Sequence, residues 1–479
     1  MNIKMVFSIL GRTLLIEAGL MLCPLLVGII YGENTWYTYL IPIGVLLAVG
    51  VPLAFLLKIK DRSIYVKEGF VTVALVWVLM SLAGAVPFVL SGAIPNYIDA
   101  LFETVSGFST TGATILNGER IEGLSHSLQF WRLSTHWIGG MGVLVFVLAI
   151  LPGYNTGIMH VFRAESPGPS VGKLVSKLTH TARILYGIYI LMTVIEAIFL
   201  ICGGMNIYEA VVHSFSTAGT GGFGIKGDSL ASYSTYHQMV IAVFMFLFGI
   251  NFNLYYLILI GNFKKAIKSE EFIIYVIMVV GATIVIAVNI LSVCANFGDA
   301  IRQSFFQVTS FSSSTGFSTA DYNTWPALSK SLLITFMIIG ACGGSTGGGM
   351  KVSRAIILVK SGFSDIRRML HPRSVVSTKV EGELLSKETE RNVHSYFILW
   401  VSIVVISTIL LSIDCNDFLT NFTASLSCIG NMGPIFSPYS DFSFYSPYCK
   451  LLLCFVMLVG RLEIFPMIFV LAPKTWKRA

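Results

Sequence analysis

Charge is the scarcest feature of this chain. Asp, Glu, Lys and Arg make up 12% of its 479 residues, against about 25% in a soluble globular protein. With 55% hydrophobic residues, that deficit excludes a water-solvated surface over most of the chain. Cysteine and histidine are few, eight of each, and neither is spaced as a metal-binding set. Most cysteines, among them Cys23, Cys202, Cys294 and Cys342, lie in apolar runs, where Cys acts as a small hydrophobe. Cys415 and Cys449 fall in connections between apolar runs, and whether they pair stays open. Dispersed histidine leaves no polar cluster for a polytopic membrane enzyme, which is therefore the distant alternative. No Walker A motif and no Rossmann fingerprint after a strand is present, so this chain is expected to bind no nucleotide itself. A cleavable signal is not expected either, because Arg12 opens an apolar segment too long for one and without a small-residue cleavage site.

What the chain does have is long apolar runs, such as 14–30, 40–57, 69–90 and 137–151. A helix needs about 20 apolar residues to cross a bilayer, so an all-α polytopic membrane protein is expected, with lipid as its surroundings. The net charge of +7 does not point to nucleic acid. Its cations cluster in 58–67, 163–183, 264–268, 354–391 and 474–478, while the alternate connections hold isolated ones such as Arg120, Lys226, Arg302 and Lys450. That is the positive-inside bias, and it places those segments and both termini in the cytoplasm.

An internal repeat organises the rest. After an N-terminal helix pair (1–58, spans near 8–30 and 36–57 joined by Gly32-Glu33-Asn34), one pattern recurs over 69–152, 183–261, 272–361 and 392–472. It runs span, short half-span, hydroxyl- and Gly-rich loop, second span. Three half-spans open alike, at Asn96 with Asp99, Asn206 with Glu209 and Asn296 with Asp299; the fourth offers Asn416-Asp417. Asn followed three residues later by an acid is a helix start resembling a capping box. The offset from Asn to loop Gly is sixteen residues in the first two repeats, twenty in the third and seventeen in the fourth, so the half-helices should differ slightly in length.

The loops follow: Ser106 to Gly112, Ser214 to Phe223, Ser310 to Phe317 and Ser427 to Pro434. A half-helix stopping at mid-membrane points its negative end at the centre. The irregular backbone after it is tolerated only where buried in protein or lining a water path. No acid stands in these loops, so backbone carbonyls rather than a carboxylate ring would hold a cation. A large monovalent ion is favoured, K⁺ first and Na⁺ second. A separate interruption is the run 340–350, with six glycines in eleven residues; each costs about 1 kcal/mol in a helix relative to Ala. A broken helix at mid-membrane points to the transport path, the competing reading being a glycine-packed helix face. Arg461 lies in the apolar stretch 451–471, where a cation needs a partner.

Taken with His136-Trp137-Ile138-Gly139-Gly140-Met141-Gly142 in the first repeat, these loops and the Gly run make the chain resemble, over essentially its whole length, the membrane subunits of the Trk/Ktr/HKT superfamily of potassium transporters. The N-terminal pair and the length place it with the bacterial Trk branch. The resemblance implies four membrane-pore-membrane repeats around a pseudo-fourfold pore in a bacterial cytoplasmic (inner) membrane, with K⁺ as the transported ion. It also implies a homodimer and a ring of cytoplasmic nucleotide-binding regulatory subunits of the TrkA or KtrA type. Carried over loop by loop, the ion-binding residues would be Thr110, Thr111 and Gly112; Thr220, Gly221 and Gly222; Ser314, Thr315 and Gly316; and Asn431, Met432 and Gly433. The second loop is ambiguous by one residue, because Gly221 and Gly222 are adjacent, and the fourth departs most, with Asn-Met. A single matching Gly per loop implies weaker discrimination than a longer TVGYG filter has. The gate would comprise Gly343, Gly344, Ser345, Thr346, Gly347, Gly348 and Gly349 with Arg461 beneath the filter, and Lys351 as a weaker candidate. For Arg461 a structural pair with Glu463 or Glu196 competes; Glu17, Glu103 and His213 receive no transport role. A sodium-permeable or cation-coupled transporter is the near alternative. The segments 153–183 and 360–392, the latter with His371-Pro372-Arg373 and a Lys379-Val-Glu-Gly-Glu383 run, suggest a folded docking surface.

Overall fold

The computed structural model describes residues 2–57, 66–142, 178–372 and 377–476. The basic connection at 58–65, the end of the first repeat's second span, most of 153–183, Arg373 and the last three residues lie outside the described residues. Six described helices are long and apolar enough to cross a membrane: Ile3–Ile30, Trp36–Leu56, Lys67–Leu90, Ala182–Cys202, Glu270–Asn289 and Lys387–Asp414. Thr235–Phe248 and Phe252–Leu259 form a further span bent by 89°. The expected helical, multi-pass build is present, and the N-terminal span begins at Ile3 rather than near residue 8. The exception among the described residues is a β-hairpin, β1 (Lys379–Val380) with β2 (Glu383–Leu384), which spans the Lys379–Glu383 run read as a folded surface. All eight cysteines are free, so Cys415 and Cys449 do not pair.

The N-terminal pair packs on itself through a close approach. A Cβ at Gly11 would lie 2.6 Å from the Ala54 nitrogen. The pair then docks on the first repeat at its turn. The Glu33 carboxylate accepts from the backbone N–H groups of His126 (2.6 Å) and Ser127 (3.1 Å), and the Tyr31 ring stacks on His126 at 4.0 Å. Partial burial pushes the Glu33 carboxyl up, but the hydrogen bonds from Ser127 and His126 outweigh it and hold it below the ordinary carboxylate range.

Four short helices follow the four first spans: Tyr97–Phe108, Ile207–Ala218, Phe297–Ser312 and Phe418–Gly430. Side chains of Asn96, Asn206 and Asn296 cap the first three by accepting from Ile98, Tyr208 and Asp299 N–H. In the fourth the cap is Asp417, accepting from Leu419 and Thr420 N–H, rather than Asn416. The acids of the three Asn starts lie in the first turn, where negative charge suits the helix dipole; none accepts from the backbone N–H of its capping Asn, although Asp299 accepts from the Asn296 side-chain amide at 3.0 Å. Asp99 pairs with Lys450 at 2.7 Å, Glu209 accepts from Tyr233, and Asp299 pairs with Arg302 at 3.0 Å. The third helix has 16 residues where the first two have 12, one extra turn, which accounts for its longer offset.

Second spans break more often than the Gly run alone suggests. The second repeat's span breaks at Gly249 to Asn251, and the fourth's at Glu463 and Ile464, both with positive φ (56° and 70°). The span Lys387–Leu411 starts just after the hairpin and ends just before the fourth half-helix. Hairpin and half-helix starts therefore occupy opposite faces.

Candidate ion pathway

Each half-helix ends in the same way. The residue after its last turn takes the left-handed conformation, and it is not glycine: Thr110 (φ 55°), Thr220 (53°), Ser314 (60°) and Asn431 (49°). The next N–H reaches back five residues to a serine carbonyl, from Thr111 to Ser106, Gly221 to Ser216, Thr315 to Ser310 and Met432 to Ser427, at 2.9 to 3.0 Å. This is the Schellman closure, which satisfies end-of-helix carbonyls and normally favours Gly at the left-handed position. Thr there is strained by about 1 kcal/mol or more. Four-fold repetition of an unfavourable conformation points to a site that needs that backbone.

Two residues further on stands a glycine with positive φ: Gly112 (76°), Gly222 (80°), Gly316 (88°) and Gly433 (92°). The second loop's register is thereby set on Gly222, with Gly221 as the middle residue. The four glycines pack in a closed cycle. A Cβ on Gly112 would lie 1.8 Å from the Gly221 carbonyl oxygen, on Gly222 2.1 Å from that of Thr315, on Gly316 2.1 Å from that of Met432, and on Gly433 2.6 Å from that of Thr111. Each loop thus seats its glycine on the middle carbonyl of the next, and the fourth returns to the first. No side chain fits at any of these contacts. All four glycines line one cavity of about 500 Å³ opening toward the face where the half-helices begin. The non-glycine members of the triplets are buried.

The loops are not equivalent in side chains. In the first and third, a serine hydroxyl meets the middle threonine at 2.7 Å (Ser109 to Thr111, Ser313 to Thr315). In the second and fourth, Gly219 and Gly430 replace that serine. Asn431, the outlier in sequence, ties the fourth loop to the first by donating from Nδ2 to Thr111 Oγ1 at 3.0 Å and to the Met457 carbonyl at 2.9 Å. The first and second loops are joined by a buried ion pair. Arg132 Nε bonds Glu103 at 2.6 Å, while Nη1 donates to the Gly224 carbonyl at 3.0 Å. Glu103 in turn accepts from Thr114 and from the Ile115 N–H. Glu103, left without a role on sequence grounds, therefore braces the loop cycle. Removing one member of a buried pair costs about 3–5 kcal/mol. Arg132→Met should accordingly lower the thermal midpoint of the purified protein strongly, and adding Glu103→Gln should recover part of the loss.

The Gly run is an irregular segment between the helices Ala327–Ile339 and Val352–Leu370, not a glycine-packed helix face. Gly340, Gly344, Gly349 and Lys351 have positive φ, and the Lys351 ammonium donates to the Gly347 carbonyl. The segment lies against the loop cycle: a Cβ on Gly348 would sit 2.1 Å from the Gly430 carbonyl, and one on Gly347 2.5 Å from that of Ser313. Arg461, the last residue of Pro447–Arg461, donates to the Thr346 carbonyl of this segment at 2.9 Å and to the Gly139 and Gly140 carbonyls at 2.5 and 2.6 Å. Those last two close the helix His126–Gly140, whose C-terminal end favours a cation. Glu463 pairs with Arg354 instead. Arg461 thus bonds the Gly-rich segment and the end of the helix His126–Gly140 together.

A family model described as TrkH, cation transport protein, matches residues 40–478. The chain belongs to this family. It is 33% identical to the Trk system potassium uptake protein TrkH of Escherichia coli strain K12 over the whole of both chains. It is 30% identical to TrkG of the same strain, covering 99% of each. The crystal structure of the potassium transporter TrkH from Vibrio parahaemolyticus superposes with a TM-score of 0.90 at 30% identity, covering all of both chains. Members of the TrkH family are transport proteins rather than enzymes, and this chain is a multi-pass membrane protein of that kind. Family membership agrees with the resemblance read from the loops. What the sequence does not disclose is the bracing by Glu103 and Arg132. The available signal was charge inside apolar stretches, which at membrane depth marks a partnered group.

Proposed function

We propose that this chain carries K⁺ into the cell through the ring of four loops, in four membrane-pore-membrane units near 69–152, 183–261, 272–361 and 392–472. The observation that carries the reading is the closed cycle in which each of Gly112, Gly222, Gly316 and Gly433 abuts the next loop's middle carbonyl. Carbonyls held at that spacing, at the negative ends of four half-helices, replace a cation's hydration shell without any carboxylate. The triplets beginning at Thr110, Thr220, Ser314 and Asn431 are the filter. The segment 343–349 is the gate, and Arg461 holds it while placing positive charge beneath the ring. The half-helices start on the outer face, and both termini and the hairpin are cytoplasmic. The exposed hairpin fits a docking surface for a nucleotide-binding regulatory subunit, and the chain works as a homodimer in the inner membrane. Uptake of radioactive Rb⁺ into proteoliposomes, competed by K⁺, Na⁺ or Li⁺, tests this. Block by K⁺ and hardly by Na⁺ is expected. Equal block by Na⁺ moves the assignment to a sodium-permeable pathway, and absence of uptake even with the regulatory subunit overturns transport.

A further inference from the structure

One carboxylate holds both ends of the Gly-rich segment. Glu271 Oε1 accepts from the Gly343 N–H at 2.6 Å and from the Ser353 N–H at 3.0 Å. These are hydrogen bonds to a charged group in a buried setting, the strong kind. Glu271 itself sits in the first turn of the helix Glu270–Asn289. Its position is therefore set by how that helix begins, and the helix begins under the hairpin.

The hairpin turn is a two-residue one, with Glu381 (φ 53°) and Gly382 (φ 79°) at its centre. Both positions need positive φ, which suits Asn, Asp or Gly. Glu is a poor occupant, yet its carboxylate is fully used. Oε1 accepts from Ser269 Oγ (2.8 Å) and the Glu271 N–H (3.1 Å), and Oε2 from the Glu270 N–H (3.1 Å). The Glu381 N–H donates back to Glu270 at 3.3 Å. Lys360, on the helix that leaves the Gly-rich segment, bonds Glu270 and the Lys379 carbonyl. A strained residue kept for its side chain points to function.

We propose that Glu271 is a positioning residue for the gate and that Glu381 sets it, so that the hairpin and the Gly-rich segment move as one latch. Resting on the gate reading above, this adds the route by which the cytoplasmic face reaches the gate. Displacing the hairpin withdraws the cap from the Glu271 N–H, tilts the first helical turn and releases Gly343 and Ser353 together. Neither Glu271 nor Glu381 bonds a residue of the ring, and the released segment reaches it by a hydrogen bond only through the Gly348 N–H to the Ser314 hydroxyl, so release alters access and leaves the ring carbonyls, and with them ion choice, in place.

Glu381→Gly removes the carboxylate while relieving the turn, and Glu381→Asn does the same with a side chain too short to reach Ser269. Both are made in the full chain, beside Glu271→Gln and the double variant Glu271→Gln/Glu381→Gly. Hydrogen exchange of the segment 340–353 in the reconstituted protein should quicken about ten-fold in each single variant, the size expected for losing a charge-assisted bond. Exchange at the ring amides of Thr111, Gly221, Thr315 and Met432 should not change. Rb⁺ flux should rise with K⁺ preference intact, and the double variant should add little, because both changes release one latch. Unchanged exchange in Glu381→Gly and Glu381→Asn overturns the proposal, as does full additivity in the double variant. Faster exchange without greater flux sustains the latch and overturns the gate reading on which its role depends.

Discussion

Gly112→Ala is expected to abolish K⁺-selective Rb⁺ uptake. The new Cβ would stand 1.8 Å from the Gly221 carbonyl oxygen, at a backbone φ of 76°. A side chain in that conformation costs about 1–2 kcal/mol on its own, and the overlap can be relieved only by moving a ring carbonyl. The damage should follow the spacing around the cycle. Gly222→Ala and Gly316→Ala, at 2.1 Å, should be nearly as severe, and Gly433→Ala, at 2.6 Å, the mildest. Gly44→Ala and Gly281→Ala, which would meet nothing within 4 Å, serve as controls and should transport as the parent does. Uptake with K⁺ and Na⁺ competition reads both flux and preference. Full selectivity in Gly112→Ala would remove the ring from the account.

The second large effect has the opposite sign. Deleting part of 343–349 should raise flux several-fold or more without changing the competition pattern, because the segment meets the ring only at its lower edge, through packing of Gly347 and Gly348 and a hydrogen bond from the Gly348 N–H to the Ser314 hydroxyl, and leaves the ring carbonyls unbonded. Gly347 and Gly348 approach the Ser313 and Gly430 carbonyls from below, and shortening the segment withdraws them. Arg461→Ala should act in the same direction, since its guanidinium ties Thr346 to Gly139 and Gly140. Removing it also takes a positive charge from the path of a cation. Unchanged flux in the deletion counts against the gate. If Arg461→Ala yields only misfolded protein, its bonds to those carbonyls serve structure alone.

Much of this is legible in the sequence alone, because the repeat writes the same physics several times. Asn caps open three of the half-helices and a Gly-bearing loop follows all four, at the same offset in the first two repeats, and each occurrence supports the others. Where the sequence was ambiguous, the missing quantity was a backbone angle. Adjacent Gly221 and Gly222 look alike in letters, and only the left-handed Thr220 fixes which of them matches Gly112. In the fourth repeat Asn416 and Asp417 are equally good caps by type, and the geometry selects Asp417. The breaks at Gly249 to Asn251 and at Glu463 to Ile464 are not legible as breaks, although Gly249, Asn251 and Pro466 stand there, because isolated Gly and Pro are also tolerated within continuous membrane helices. Long-range partners were hidden altogether. Glu103 meets Arg132 across 29 residues, and Glu271 meets Gly343 across 72. Charge within an apolar stretch announces that a partner exists without naming it.

The central claim is that the four loops hold the ion, and a Rb⁺-soaked crystal measured at the rubidium edge tests it most directly. The account predicts an anomalous peak on the axis of the cycle, enclosed by the Thr111, Gly221, Thr315 and Met432 carbonyls and displaced by excess K⁺. A peak at carboxylates elsewhere, with the ring empty, would contradict it.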